Sequence, residues 1–306
     1  MAVIKVTGIN KTFGETKAVR NVSFEVESGR IFGLLGPNGA GKTTTIRMIN
    51  YIIPADSGSI HINGAEVSPL TQRMIGYMPE ERGLYKKMKV GEQLMYLAQL
   101  KGMELSLARK EIKYWLERFG ASDWHAKKVG ELSKGMSQKI QFIATIVHDP
   151  DIYIFDEPFS GLDPINSELL KEIIIELREK GKAVLFSTHR MEQVEQMCDD
   201  ICLFNNGRVV LEGKLREIKQ KFGNNTVLLE FEGDSAFLDE LTDVRINNRS
   251  TNFAEIRILE GQNHQEILKK AMSKSIIHKF ELVEPSLTDI FISTVGEDNI
   301  KPEELQ

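Results

Sequence analysis

Cysteine is nearly absent: Cys198 and Cys202 are the only two in 306 residues. They lie in Met197-Cys198-Asp199-Asp200-Ile201-Cys202 with no second ligand pair, which argues against a zinc site. Two buried thiols in a reducing compartment is the reading adopted. Long apolar runs are missing as well. Nothing approaches the roughly 18 to 20 residues that a membrane-spanning helix needs, so a membrane role must come through a partner. There is no excess of positive charge, since 39 Lys and Arg face 44 Asp and Glu. The net charge of −5 supplies no global basic field, and no nucleic-acid partner is expected. The first residues, Met1-Ala2-Val3-Ile4-Lys5-Val6, lack the basic-then-apolar plan of a signal peptide and are expected to form a strand. No internal repeat and no low-complexity tract is found. What remains is ordinary globular material, 41% hydrophobic and 27% charged, in a chain long for one domain and comfortable for two.

The chain is organised around Gly36-Pro37-Asn38-Gly39-Ala40-Gly41-Lys42-Thr43-Thr44. An apolar run, Ile31 to Leu35, leads into it, and Thr45-Ile46-Arg47-Met48-Ile49 continues it as a helix. Strand, glycine-rich turn and helix is the setting in which this spacing binds a nucleoside triphosphate. The glycines let successive backbone N–H groups converge on an anion, and the helix N-terminus adds partial positive charge. Lys42 is placed to reach the β- and γ-phosphates, and Thr43 to offer a hydroxyl to Mg²⁺.

Ahead of that turn, Ile4–Ile9 and Val22–Val26 read as strands with Lys11-Thr12-Phe13-Gly14 turning between them. Behind it come a helix over Thr44–Tyr51 and strands over Ser59–Gly64 and Met74–Met78. From Val90 to about Val147 the pattern changes to helical spacing over Glu92–Lys101, Leu107–Phe119 and Ser137–Val147, which predicts a helical insert in an α/β domain. Strands return at Ile152–Phe155, Ala183–Ser187, Ile201–Phe204 and Arg208–Glu212, with helices over Asn166–Lys180 and Glu192–Met197. The last stretch reads βαββαβ, the order of a small ferredoxin-like α+β domain. The expected boundaries are 1–222 for the first domain, a linker at Phe222-Gly223-Asn224-Asn225, 226–295 for the second, and a frayed acidic tail over 296–306.

A second anchor is Ile152-Tyr153-Ile154-Phe155-Asp156-Glu157. Four apolar residues make a buried strand that delivers two carboxylates to its C-terminal end, where α/β sheets bind ligands. Asp156 is a candidate to hold Mg²⁺, and Glu157 to polarise a water against the γ-phosphate. The segment Pro158-Phe159-Ser160-Gly161-Leu162-Asp163-Pro164 follows directly.

These motifs together resemble the ATP-binding subunit of an ATP-binding-cassette (ABC) transporter, over residues 1 to about 220. Leu132-Ser133-Lys134-Gly135-Met136 stands where that family carries its signature, usually Leu-Ser-Gly-Gly-Gln. Ser160-Gly161-Leu162-Asp163 matches the loop that crosses between paired cassettes. His189 in Ser187-Thr188-His189 matches the switch histidine, and Phe13 the aromatic that stacks on adenine. The resemblance implies a P-loop ABC ATPase core with an antiparallel β subdomain and a helical subdomain. It implies ATP and Mg²⁺ as ligands, and a dimer in which Ser133 and Gly135, placed ahead of a helix from Ser137, cap the γ-phosphate bound to a second copy. It also implies an integral membrane permease as partner, and so a cytoplasmic protein held at the inner face of the membrane. Blander readings stand beside each residue: a plain N-cap for Ser133, a satisfied core histidine for His189, a core aromatic for Phe13.

Two departures from the family are visible. Glu80 replaces the usual Gln after Ile75-Gly76-Tyr77-Met78-Pro79, so a metal-side carboxylate is expected there without the amide donor. Lys134 and Met136 alter the signature while Ser133 and Gly135 are kept, so hydrolysis is expected to survive. The wording around Met78–Tyr85 and Ser133–Gln138, and the ending Glu284-Pro285-Ser286-Leu287-Thr288-Asp289-Ile290-Phe291, is similar to bacterial exporters of the sodium-extrusion and multidrug type. Leu84, Tyr85 and Met88 are candidate permease contacts, and Lys86, Lys87 and Lys89 a solvated basic face. About 90 residues separate phosphate loop from signature, too few for the long coiled coil of chromosome-maintenance ATPases, and a single phosphate loop sets the chain apart from translation-factor cassettes. A soluble regulatory ATPase without a permease is the alternative.

Overall fold

The computed structural model describes residues 2–81, 83–222, 226–259 and 263–296. The chain divides into two compact units between Lys214 and Leu215. That is ahead of the boundary expected at 222, and the reason is packing: helix Leu215–Phe222 contacts the last helix of the second unit. Of the expected linker, residues 223–225 lie outside the described residues, as does the tail beyond 296.

The first unit opens with two long strands, β1 (Ala2–Phe13) and β2 (Thr16–Glu27). After them come β3 (Ile31–Leu35), α1 (Lys42–Ile49), β4 (Ser57–Ile62) and the short β5 (Ala65–Glu66). Strand β6 (Ile75–Met78) leads into three helices, α2 (Val90–Leu100), α3 (Leu105–Arg118) and α4 (Lys134–Ile146). Then follow β7 (Ile152–Asp156), α5 (Pro164–Glu179), β8 (Ala183–Thr188), α6 (Met191–Met197), β9 (Asp200–Asn205) and β10 (Arg208–Lys214).

Two sheets result. One is antiparallel, in the order β2-β1-β4-β5; the other runs β10-β9-β3-β8-β7-β6 and is parallel except for its edge strand β10. Strands β3, β7 and β8 are buried along their whole length, which is why they read as unbroken apolar runs rather than alternating ones. One apolar core joins the two sheets and α1, with Phe24 of β2 stacked on Phe32 of β3 at 5.3 Å. The Cys198 sulfur fits here only because residue 33 is glycine: a Cβ on Gly33 would lie 2.8 Å from it. Both cysteines are free thiols, Cys202 buried and Cys198 half-buried, and burial pushes both thiols up.

Helix α1 begins at Lys42, earlier than the Thr44 expected, because Gly41 takes φ 107° and acts as its N-cap. It ends at Ile49, with Tyr51 in the left-handed region. Helix α4 begins at Lys134 rather than Ser137, so Gly135 is in its first turn. Phe13 closes β1, opposite Thr16, and is not in the turn itself.

The second unit contains α7 (Leu215–Phe222), β11 (Thr226–Gly233), β12 (Val244–Arg249), β13 (Phe253–Ile258), α8 (His264–Lys274), β14 (Ser275–Val283) and α9 (Leu287–Val295). The first helix of the expected βαββαβ order is a 3₁₀ turn over Ser235–Glu240. Sheet order β12-β13-β11-β14, antiparallel throughout, is the split βαβ arrangement. The Glu284–Phe291 wording acquires a structural purpose. Ser286 and Asp289 form a reciprocal capping box that starts α9, while Leu287, Ile290 and Phe291 are buried. The Asp289 carboxylate also accepts a bond from Asn247 of β12 at 2.8 Å.

Candidate functional site: a phosphate-binding cleft at the sheet's carboxyl edge

The parallel strands deliver their C-terminal ends to one rim in register. Leu35 lies opposite Thr188, Asp156 opposite Ser187, and Met78 opposite Phe155. Residues that follow these strands therefore meet, although they are scattered through the sequence. A cleft of about 330 Å³ opens there, lined by Ala18, Asn38, Gly39, Gly41, Lys42, Thr43, Thr44, Glu80, Asp156 and Glu157.

Glycine is obligatory at the two ends of the loop. A Cβ at Gly36 (φ 146°) would lie 2.3 Å from the Phe204 carbonyl, and one at Gly41 would lie 2.5 Å from the Ala18 carbonyl. Gly36, Pro37 and Ala40 shape the loop from behind and are not part of the cleft lining; Ala40 is buried in the core. The Lys42 ammonium is buried and donates to the carbonyls of Gly36 (2.6 Å) and Pro37 (3.0 Å). Burial holds its pKa below the usual lysine value, and the carboxylates of Glu157, Asp156 and Glu80 pull it partly back.

Asp156 is fully buried at the end of β7. Its Oδ1 accepts from Thr43 Oγ1 at 3.3 Å and from the Ser187 hydroxyl, while its Oδ2 has no partner among the described residues. Burial raises its pKa; the Ser187 and Thr43 bonds work the other way. An unpaired buried carboxylate oxygen beside a threonine hydroxyl is a set of hard oxygen donors that suits Mg²⁺, which prefers one or two carboxylates plus phosphate oxygens. Exposed Glu80 lines the same cleft.

Glu157 adopts φ 50°, unusual for a residue with a Cβ and a conformation that costs energy where it is held. It is pinned by its N–H to the Ser187 carbonyl (3.1 Å). Its Oε1 receives the His189 N–H at 3.1 Å and meets His189 Nδ1 at 2.7 Å. Thr188 Oγ1 lies 3.4 Å from its other oxygen. His189 is thus half-exposed at the rim and no core histidine.

Other expected site residues lie elsewhere. Phe13 is 49% exposed, with the Lys11 ammonium 5.6 Å from its ring, and does not line the cleft, so its reading as a core aromatic is excluded. Ser133 is the N-cap of α4, its hydroxyl accepting from Met136 N–H at 3.3 Å, and Gly135 faces Gly161 and Leu162. Asp163 caps α5 by accepting from Asn166 N–H at 3.0 Å. Neither the signature nor the crossing loop lines the cleft of its own chain. Leu84 and Met88 are half-buried and Tyr85 is exposed, its ring against Tyr96. Leu84 lines a separate hollow of about 270 Å³ with Leu97, Leu100 and Ala144. Lys86, Lys87 and Lys89 are exposed.

Sequence reasoning passed over Ser187, Thr188 and Ala18. The signal for the first two was there: parallel β7 and β8 of similar length place Ser187 beside Asp156 and Thr188 beside Glu157.

A buried lysine on a glycine loop, an aspartate with one unpartnered oxygen and a histidine-bound glutamate at one sheet edge define a P-loop nucleotide-hydrolysing cassette. Residues 19–160 match the family model described as ABC transporter, and residues 213–295 match the ATP-binding protein DrrA1-3-like C-terminal domain. The chain is 48% identical, over 96% of its length and 99% of the relative's, to the uncharacterized ABC transporter ATP-binding protein YhaQ of Bacillus subtilis (strain 168). It is 30% identical, over 96% of its length and 98% of the relative's, to the linearmycin resistance ATP-binding protein LnrL of the same organism. A solved ATP-binding subunit of an ABC transporter superposes with a TM-score of 0.69 at 32% identity, covering 72% of this chain and 93% of that one. The chain belongs to the ATP-binding proteins of ABC transporters and is an ATPase.

Proposed function

We infer that this chain is the ATP-hydrolysing subunit of an exporter, working as a pair with a second copy and coupled to a separate membrane permease. The observation that carries the reading is the junction of Glu157 and His189 beside the phosphate loop, because it joins triphosphate binding to activation of a water. Lys42 would exchange its bonds to the Gly36 and Pro37 carbonyls for phosphate oxygens. Glu157 would take the proton of the attacking water, with His189 orienting its carboxylate. Thr43, Asp156 and Glu80 would hold Mg²⁺, which when bound neutralises charge on the phosphate oxygens. Phe13, exposed at the end of β1, would stack on the adenine. Ser133 and Gly135 do not line their own cleft; they suit the triphosphate of a second copy, and Asp163 lies on the loop that would cross to it.

No helix among the described residues is long and apolar enough to cross a membrane, so translocation would belong to another chain at whose inner face this one sits. The linearmycin resistance relative supports the exporter reading. Affinity-tagged chain is expected to co-purify from detergent-solubilised membranes with a multi-spanning protein. ATPase activity that never associates with membranes would favour a soluble regulatory ATPase instead.

Glu80 gives a second, narrower test. Glu80→Ala is expected to raise the Mg²⁺ concentration for half-maximal hydrolysis on the order of tenfold. Unchanged Mg²⁺ dependence and rate would remove Glu80 from the metal side of the site.

A further inference from the structure

We propose that Lys134, the residue that departs from the family's signature, is a positioning residue for hydrolysis: its side chain straps the first turn of α4 to the loop that follows Glu157. Three contacts along one face of α4 bear on that loop. A Cβ built on Gly161 would lie 2.6 Å from Lys134 Cε, 3.0 Å from its Cδ and 3.1 Å from its Nζ, so the end of the lysine stem and its ammonium lie directly over the Gly161 backbone. One residue on, Gly135 faces the Gly161 carbonyl and the Leu162 side chain at ordinary contact distance. One turn on, the buried Gln138 amide donates to the Pro158 carbonyl at 3.0 Å. Together these span Pro158 to Leu162, the segment that begins at the residue after Glu157.

The charge of Lys134 has no use within its own helix. A cation in the first turn opposes the helix dipole, that turn carries no acidic residue, and no ion pair is formed by Lys134 among the described residues. What the side chain contributes is its aliphatic stem laid over a glycine, a common use of lysine methylenes. Gly161 takes φ 75° at no cost because it is glycine, whereas Glu157 at φ 50° is in a backbone shape that it does not prefer and that the structure around it must hold. Removing the strap frees the loop to relax, and Glu157, four residues before Gly161, loses alignment with the attacking water. The phosphate loop has no part in this, so binding of nucleotide to the chain's own cleft should be unaffected.

This inference rests on Glu157 being the group that acts on water. The experiment measures kcat and KM for ATP in the full chain carrying Lys134→Ala, Lys134→Met or Glu157→Gln, with the thermal midpoint of each; alanine removes the stem without the cost of a helical glycine. Misplacing a reacting group by about an ångström costs up to roughly 100-fold, and partial loosening a fraction of that. Lys134→Ala should therefore lower kcat on the order of tenfold with KM within about twofold. Lys134→Met keeps the stem without the charge and should restore kcat to within about twofold of the parent. If Lys134→Met falls as far as Lys134→Ala, the ammonium matters and the strap is refuted. Parental kcat in Lys134→Ala, with Glu157→Gln inactive, refutes the strap while keeping Glu157 as the base. Parental kcat in Glu157→Gln defeats the underlying reading first.

Discussion

Glutamine at position 157 should lower ATP turnover by a factor on the order of 10² to 10⁴ while nucleotide still binds. The amide matches the carboxylate in size and can still bond to His189, whose N–H lies 3.1 Å and ring nitrogen 2.7 Å from Oε1, so the loop geometry should persist. What is lost is the ability to accept a proton from water. Because the bound triphosphate is then not consumed, ATP with Mg²⁺ should hold two copies together, and size-exclusion chromatography should show the variant moving from monomer to dimer on ATP addition. ADP should not cause the shift. Turnover at the parental rate would mean that another group serves as the base.

Lys42→Ala should abolish detectable nucleotide binding. Lys42 is 6% exposed and sits among three carboxylates, Glu157, Asp156 and Glu80, that act on it electrostatically. Without its ammonium, a triphosphate would enter a cleft whose side chains present net negative charge. Truncating one partner of a buried, hydrogen-bonded charge pair costs about 2–5 kcal/mol, which corresponds to roughly 30- to several-thousand-fold in affinity. The rise in thermal midpoint that ATP produces in the parent, itself a mass-action effect of ligand on the folded state, should vanish. Calorimetric titration showing affinity within about twofold of the parent would remove Lys42 from phosphate binding.

The helical insert and the central strands of the first unit could be read locally, because burial of β3, β7 and β8 on both faces leaves unbroken apolar runs. Strands β1 and β2, by contrast, run 12 residues each, well beyond the expected Ile4–Ile9 and Val22–Val26. Helix starts were less legible. Gly41 begins α1 only because its φ of 107° is tolerated by glycine alone, and α4 starts at Lys134 because the Ser133 hydroxyl is free to cap it. Both depend on how a loop is seated, which local spacing does not encode. The Glu284–Phe291 stretch was visible as a likeness without a purpose; its capping box is local, but its bond to Asn247 needs the second unit folded.

Residue identity and spacing alone pointed to a phosphate loop and to a strand end carrying two carboxylates, since each is a short motif whose chemistry lies in adjacent residues; the signature and the switch histidine were read only through the likeness to the family. Which of them meet was decided only by the sheet. Parallel register puts Ser187 on Asp156 and His189 on Glu157 across a separation of some thirty residues, while Ser133, Gly135 and Asp163 do not line the cleft of their own chain. The reason is physical: side chains at the ends of neighbouring strands touch through hydrogen-bonded pairing of the backbone, and that pairing is a long-range choice that no local window contains.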